Sequence, residues 1–287
     1  HRASHASHIA RSTPGRRDSL PALLLLLAAL ALGAWSSLIE PRTLHVRHHH
    51  WTAPPGAPAL RVALVADLHL GLFWREWQLR QLVTRLNALD VDAVLVAGDW
   101  TYEPPRDLQA AFAPLRALRH PVHAVMGNHD LLGHKEEISE LKGQILSKGI
   151  VLLCNSAVLI NKGGSSLCLC ATDDVLEGRP DTAALTGAIA QSDFTIFAPH
   201  SPDILPEAEK QAGFRFDLAL CGHTHGGQLV IFGRSLHSSS AYGDTYARGW
   251  MDAHGGKLLV THGVGTSLLP MRLGVRPQIH RITLKRK

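Results

Sequence analysis

An α/β layered domain behind a membrane-spanning helix is the architecture this sequence predicts, on three observations. From Leu60 onward, short β-branched or leucine-rich runs alternate with helical stretches, the pattern of strands covered on both faces by helices. The stretch 150–171 interrupts that alternation with two adjacent strands, so the sheet is expected to be mixed. Ahead of both, Leu20–Ile39 carries no charged residue, and as a helix it would reach ~30 Å, one hydrocarbon thickness. The 287 residues are 45% hydrophobic and 18% charged, too apolar for a disordered chain and long enough to bury a core. Four cysteines in such a length do not make a disulfide framework.

Residues 1–19 are rich in Ser, Arg and His and read as a basic N-terminal tail. Residues 20–39 read as a transmembrane anchor or signal segment. The strictly apolar part, Ala22–Trp35, has the length of a signal-peptide core, and Arg16-Arg17 ahead of it invites an export reading. The anchor reading is preferred because the small-x-small site Ala29-Leu30-Ala31 falls inside the apolar run. Arg11, Arg16 and Arg17 precede the segment while Arg42 and Arg47 follow it, a bias that places the C-terminal domain outside the cytoplasm by a margin of one charge. Residues 40–59, with Pro41, Pro54, Pro55 and Pro58, read as a linker, and its His45, His48, His49 and His50 as solvated side chains rather than ligands.

The domain proper is expected over 60–287. Arg61–Ala66, Ala93–Ala97, Val122–Val125, Thr195–Ala198, Leu218–Cys221 and Leu258–Thr261 read as buried strands. Trp74–Leu89, Arg106–Arg119, Lys135–Lys148 and Pro202–Gln211 read as helices. Ile150–Ile160 and Ser165–Ala171, joined by Asn161-Lys162-Gly163-Gly164, read as a hairpin.

Charge narrows the function classes. The formal charge is +5, of which residues 1–58 supply +4 and the rest only +1. A nucleic-acid binder needs a basic stripe on its folded domain, so no nucleic-acid partner is expected, and no obligate protein partner is inferred. No glycine-rich dinucleotide or triphosphate loop is present. The histidines stand out instead, at 19 in the chain.

Those histidines, with Asp and Asn, recur where strands end. The first strand runs into Asp67-Leu68-His69, the second into Gly98-Asp99 and the third into Gly127-Asn128-His129-Asp130. Later strands run into Pro199-His200 and into Gly222-His223-Thr224-His225-Gly226-Gly227. Carboxyl ends of strands are where α/β sheets assemble sites, so five such ends converge on one crevice.

The series D-x-H, G-D, G-N-H-D, H, G-H-x-H resembles that of the calcineurin-like metallophosphoesterase superfamily, over about residues 60–284. The resemblance implies a four-layer sandwich of two mixed β-sheets flanked by helices and a centre of two divalent metal ions. It implies that Asp67, His69, Asp99 and His225 hold one ion and that Asp99, Asn128, His200 and His223 hold the other, Asp99 bridging. It makes His129 the catalytic histidine and Asp130 the residue that orients it. Oxygen and nitrogen donors without thiolate suit Mn, Fe or Zn. The expected activity is hydrolysis of phosphodiester or pyrophosphate bonds by a dimetal-bound hydroxide. The alternative is a non-catalytic metal-binding scaffold on the same fold.

The later segments GHTHGGQ, Tyr246-Ala247-Arg248-Gly249 and Thr261–Thr266 resemble a bacterial branch with an N-terminal membrane segment or export signal, described as phosphodiesterases. Lipid-linked substrates such as UDP-2,3-diacylglucosamine are known for some relatives; His262 departs from that branch's usual Arg. Arg248, Arg272 and Arg276 are candidates for phosphate contact or for structural roles. Phe73, Trp74 and Trp77 read either as an apolar lip beside the site or as helix core. Cys168 and Cys170 share one strand face, with Cys154 expected on the neighbouring strand, all reduced; Cys221 is expected to be packed.

Overall fold

The computed structural model describes residues 19–285. The tail expected over 1–19 lies outside the described residues apart from Ser19, as do Arg11, Arg16 and Arg17. In chain order the elements are α1 (Ser19–Ala34), β1 (His45–Thr52), β2 (Leu60–Val65), β3 (Leu70–Gly71), α2 (Glu76–Asn87), β4 (Ala93–Ala97), β5 (Thr101–Tyr102) and α3 (Leu108–Ala111). There follow β6 (Val122–Val125), α4 (Asn128–Leu131), α5 (Lys135–Leu146), β7 (Val151–Leu152), β8 (Ser156–Lys162), β9 (Ser165–Ala171), α6 (Thr186–Ala190) and β10 (Phe194–Phe197). The last are α7 (Leu205–Ala208), β11 (Leu218–Cys221), β12 (Val230–Ile231), β13 (Arg234–Ser235), β14 (Gly249–Ala253), β15 (Gly256–Val260) and β16 (Gln278–Lys285).

Two six-stranded sheets pack face to face, in the orders β1-β16-β2-β4-β6-β7 and β14-β15-β11-β10-β9-β8. Both are mixed. In the first, β16 runs antiparallel to β2 while β2, β4, β6 and β7 are parallel; in the second, β14 and β8 are the antiparallel edges of a parallel β15-β11-β10-β9 core. Alternation within each strand builds three apolar layers. Leu60, Val62 and Leu64 face Leu169, Ile196, Leu218 and Leu220 between the sheets. Their neighbours Ala63 and Val65 turn to α2 and α5, and Cys168, Cys170, Phe197 and Ala219 turn to α6 and α7. Every central strand is thus buried on both faces, which is why these strands read as continuous apolar runs. Each fully buried Leu or Phe contributes about 1.5–3 kcal/mol.

Five local expectations need correction. The stretch expected to be a linker contains a strand: β1 pairs in parallel with β16 over all eight residues, from His45↔Gln278 to Thr52↔Lys285. An edge strand needs backbone partners rather than an apolar run, so its histidines concealed it. The first strand of the expected hairpin is split, β7 joining the first sheet and β8 the second, with a corner at Leu153–Asn155 where Asn155 takes a φ of 45°. Cys154 lies in that corner, exposed, rather than on β8. The helix expected over 106–119 is broken after α3 by Pro114, and that over 202–211 shrinks to α7 after a short turn, Pro202 and Pro206 lacking the N–H groups a continuous helix uses. Cys168, Cys170 and Cys221 are buried free thiols.

The helical segment Leu20–Arg42 covers 23 residues and is long and apolar enough to cross a membrane, with 6% of its most apolar window buried. Leucine and alanine favour helix, and with no polar face the helix has no side to turn toward water.

Candidate metal centre

The loops after β2, β4, β6, β10 and β11 meet at one end of the sandwich. They are laced together by backbone bonds, Asp67 N–H to Gly98 O at 3.0 Å, His69 N–H to Asp99 O at 3.0 Å and Gly222 N–H to His200 O at 2.9 Å. β3 and β5 pair just beyond, fixing the first two loops against each other. Five of the expected site residues sit in the left-handed region, with φ of 54° at Asp67, 51° at His69, 53° at Asp99, 72° at His223 and 52° at His225. Asp and His tolerate that region better than most residues, and such strain persists where the surroundings over-determine it. Close approach needs glycine too: a Cβ on Gly127 would collide with the Asp99 carboxylate.

All seven expected ligand residues come together. Ligand atoms of Asp67, His69, Asp99 and His225 lie within 4.8 Å of one another, and so do those of Asp99, His200 and His223. Asn128 Oδ1 stands 3.2 Å from His200 Nε2 and 3.0 Å from His223 Nδ1, which adds it to the second group. Asp99 belongs to both: its Oδ2 lies 3.4 Å from His69 Nε2 and 3.3 Å from His200 Nε2.

This donor set fits divalent cations. His200 Nδ1 donates to Ala97 O at 2.7 Å and His223 Nε2 to Ser239 O at 3.1 Å, so each turns its other ring nitrogen toward the cluster, that of His200 becoming a donor to a cation once its proton has left. His69 and His225 stack with their Nε2 atoms 2.9 Å apart. Asp67 Oδ1 accepts the His223 N–H at 2.8 Å while its Oδ2 is buried with no hydrogen-bond partner. A buried carboxylate oxygen aimed among converging imidazole nitrogens is an arrangement a cation satisfies.

The electrostatics of the cation-free protein follow from burial. Burial pushes Asp67 up to about 7, against the pull of His200. Burial also opposes ionisation of Asp99, but His200, His69 and His129 outweigh it and hold that carboxyl well below its usual range. Burial disfavours charge on His200, yet Asp99 and Asp67 raise it to about 10. Burial keeps His69 down to about 3 and His225 well below its ordinary value. Without a cation, the centre is therefore held by an Asp99–His200 ion pair.

His129 lies at the rim, its N–H donating to Asp99 Oδ1 at 3.0 Å and its ring edge-on to His69 and to Tyr102, with centroids 4.9 Å and 5.0 Å away. Among the described residues no hydrogen bond joins the Asp130 carboxylate to that ring. The Asp130 carboxylate accepts instead from the N–H groups of Gly127 at 2.9 Å, Thr101 at 3.0 Å and Trp100 at 3.1 Å, because it sits in the first turn of α4 and reaches back to cap it. Asp130 braces the loops, and burial, with Asp99 nearby, pushes it up to about 7.

The arginines divide. Arg272 is fully buried, donating to the carbonyls of Gly265, His262 and Val275, and so fastens the 262–275 loop beneath His225. Arg248 donates to Gly226 O at 2.9 Å and to Ser235 Oγ at 3.0 Å. Tyr102, which no motif marked, shares the rim with His129 and stacks on Phe73 at 6.2 Å. Its signal was its place two residues beyond Trp100 in the loop that carries Asp99. Trp74 is core, whereas Trp77 is 47% exposed.

A buried Asp/His cluster at the strand ends of two mixed sheets defines a hydrolase with a candidate metal centre. The sequence matches the calcineurin-like phosphoesterase family over residues 60–227, more than half its length, and the chain belongs to that family. It is 26% identical over 283 residues to the uncharacterized metallophosphoesterase YkuE of Bacillus subtilis, covering 94% of this chain and 97% of that protein. It is 27% identical over 278 residues to the phosphodiesterase YaeI of Escherichia coli, covering 94% and 98%. A transmembrane protein with metallophosphoesterase domain of Bos taurus is 25% identical over 283 residues, which span 92% of this chain and 62% of that one.

Proposed function

We propose that this protein is a membrane-tethered phosphodiesterase working with two divalent cations. The observation that carries the reading is the sharing of Asp99 between two donor clusters. Asp67, His69, Asp99 and His225 would hold one cation and Asp99, Asn128, His200 and His223 the other, with Mn, Fe or Zn suited to the donors. Such a pair, when bound, neutralises the phosphoryl oxygens and makes water acidic enough to act as the nucleophile near neutral pH.

The residues supply the rest. Two carboxylates among the donors leave a dication pair a net positive charge, which draws a phosphodiester or pyrophosphate in. His129, fixed through its N–H to Asp99, faces the same crevice and gives a proton to the departing oxygen. Asp130 acts at one remove by pinning the loop that carries Asn128 and His129.

The exposed helix Leu20–Arg42 supports the tether, and with it a substrate carrying a lipid chain, UDP-2,3-diacylglucosamine being one such compound. The domain is proposed to face away from the cytoplasm, which speaks against that cytoplasmic nucleotide lipid; reporter fusions at the C-terminus test this, a cytoplasmic signal overturning the orientation and restoring that substrate.

Purified full-length protein loaded with Mn²⁺ should bind about two equivalents of metal per chain and hydrolyse bis-p-nitrophenyl phosphate. Metal bound without turnover favours the scaffold alternative, and no metal bound overturns both.

A further inference from the structure

At the foot of the apolar helix lies a cavity of about 490 Å³, lined by none of the metal donors. Leu32 and Trp35 form one wall, and His45, Arg47, His262 and Arg276 form the other. The helix is docked there rather than loosely tethered: Ser36 is buried, and its carbonyl accepts the Arg272 N–H at 2.8 Å. Before that point α1 has 16 residues. That is ~24 Å of helix against a hydrocarbon core of ~30 Å, so a spanning α1 draws the docking face to head-group depth.

The charge in this cavity is uncompensated. Among the described residues, neither Arg47 nor Arg276 makes an ion pair with a carboxylate. Arg276 Nη1 donates to His45 Nε2 at 2.9 Å, which takes a neutral imidazole as acceptor. The carboxylate present, Glu40, is buried, accepts the Trp35 indole N–H at 2.9 Å and acts on the buried Arg272. Two guanidiniums without a carboxylate partner therefore lie beside an apolar wall continuous with the membrane helix, and an indole marks the boundary. Guanidinium matches phosphate oxygens, and Leu32 with the helix above it matches an acyl chain.

We propose that this cavity binds the phosphate head group of an anionic phospholipid from the leaflet that α1 enters, separately from any substrate at the metal centre. The proposal rests on the membrane-anchor reading. Its test is native mass spectrometry of the full chain released from nanodiscs of equal phosphatidylcholine and phosphatidylglycerol. The wild type should retain phosphatidylglycerol over phosphatidylcholine by roughly tenfold or more. Arg47→Gln with Arg276→Gln should abolish the preference, while the charge-matched pair Arg80→Gln and Arg116→Gln should keep it. Unchanged circular dichroism and thermal melting show that the variants are folded.

Equal retention of the two lipids by the wild type overturns the head-group site alone. A preference that millimolar inorganic phosphate removes, with no lipid retained, reassigns the cavity to free phosphate and also overturns it. A chain that does not enter nanodiscs at all defeats the anchor reading and the proposal together.

Discussion

Two groups of histidines lie within this fold, and they do opposite things. At the metal centre, His69, His200, His223 and His225 turn nitrogens toward one another around two aspartates, one oxygen of Asp67 being left without a partner. Between the sheets, by contrast, the Trp250 indole donates to His49 Nδ1 at 2.9 Å, and His49 Nε2 lies 2.9 Å from His280 Nδ1. The proton order is fixed along that chain: His49 is protonated at Nε2, which puts the His280 proton on its own buried, unpartnered Nε2. No carboxylate takes part, so the inner chain carries no charge that a cation could balance. Imidazole count says little; the company of carboxylates decides which cluster can bind metal.

The sharpest test of that contrast is Asp99→Asn. Losing the shared carboxylate should lower hydrolysis of bis-p-nitrophenyl phosphate by roughly 10³-fold or more and halve the metal bound. His280→Phe should leave both unaltered, and equal losses in the two variants would erase the distinction.

Next in size is His129→Gln. Protonation of the leaving group matters most when that group is a poor one, so loss should approach ~10²-fold or more with an alkyl diester and be much smaller with a p-nitrophenyl diester. Equal losses on the two substrates would assign His129 to binding instead.

Metal binding itself should depend on pH. His200 lies at about 10 in the cation-free protein and is protonated near neutrality, so binding must expel a proton. Affinity should then rise roughly tenfold per pH unit between 7 and 9, with about one proton released, as read by calorimetry in buffers of differing ionisation enthalpy.

The smallest effect belongs to the inner chain. Burial, with His49 beside it, holds His280 down to about 3, below its unfolded value of 6.5. The unfolded chain binds the extra proton, so stability is full above 6.5 and declines as pH falls toward 3. Between pH 6.5 and 4.5 the wild type should lose about 2–3 kcal/mol on this account, and denaturant titration should show His280→Phe losing less.

Much of the centre was legible because its ligands follow directly on apolar runs: Asp67 after Leu60–Val65, His200 after Phe194–Phe197 and His223 after Leu218–Cys221. Strand ends fix where a polar residue points with little help from distant sequence. What escaped depended on remote pairing or on main-chain acceptors. β1 is a strand only because β16 lies beside it. The Ala97 and Ser239 carbonyls that orient His200 and His223 belong to residues with no chemical signature. The way Asp130 acts was not legible, because a carboxylate next to a histidine in sequence need not face it in space.

The pairing of β1 with β16 also sets an order of events during synthesis. Among the described strands β1 has β16 as its neighbour, and β1 leaves the ribosome long before β16 does. Until β16 has been made, that edge stays open, with unsatisfied peptide groups held close to α1. A nascent chain of this protein should therefore be most vulnerable to proteases and to mispairing along β1, and should lose that weakness only once β16 has emerged.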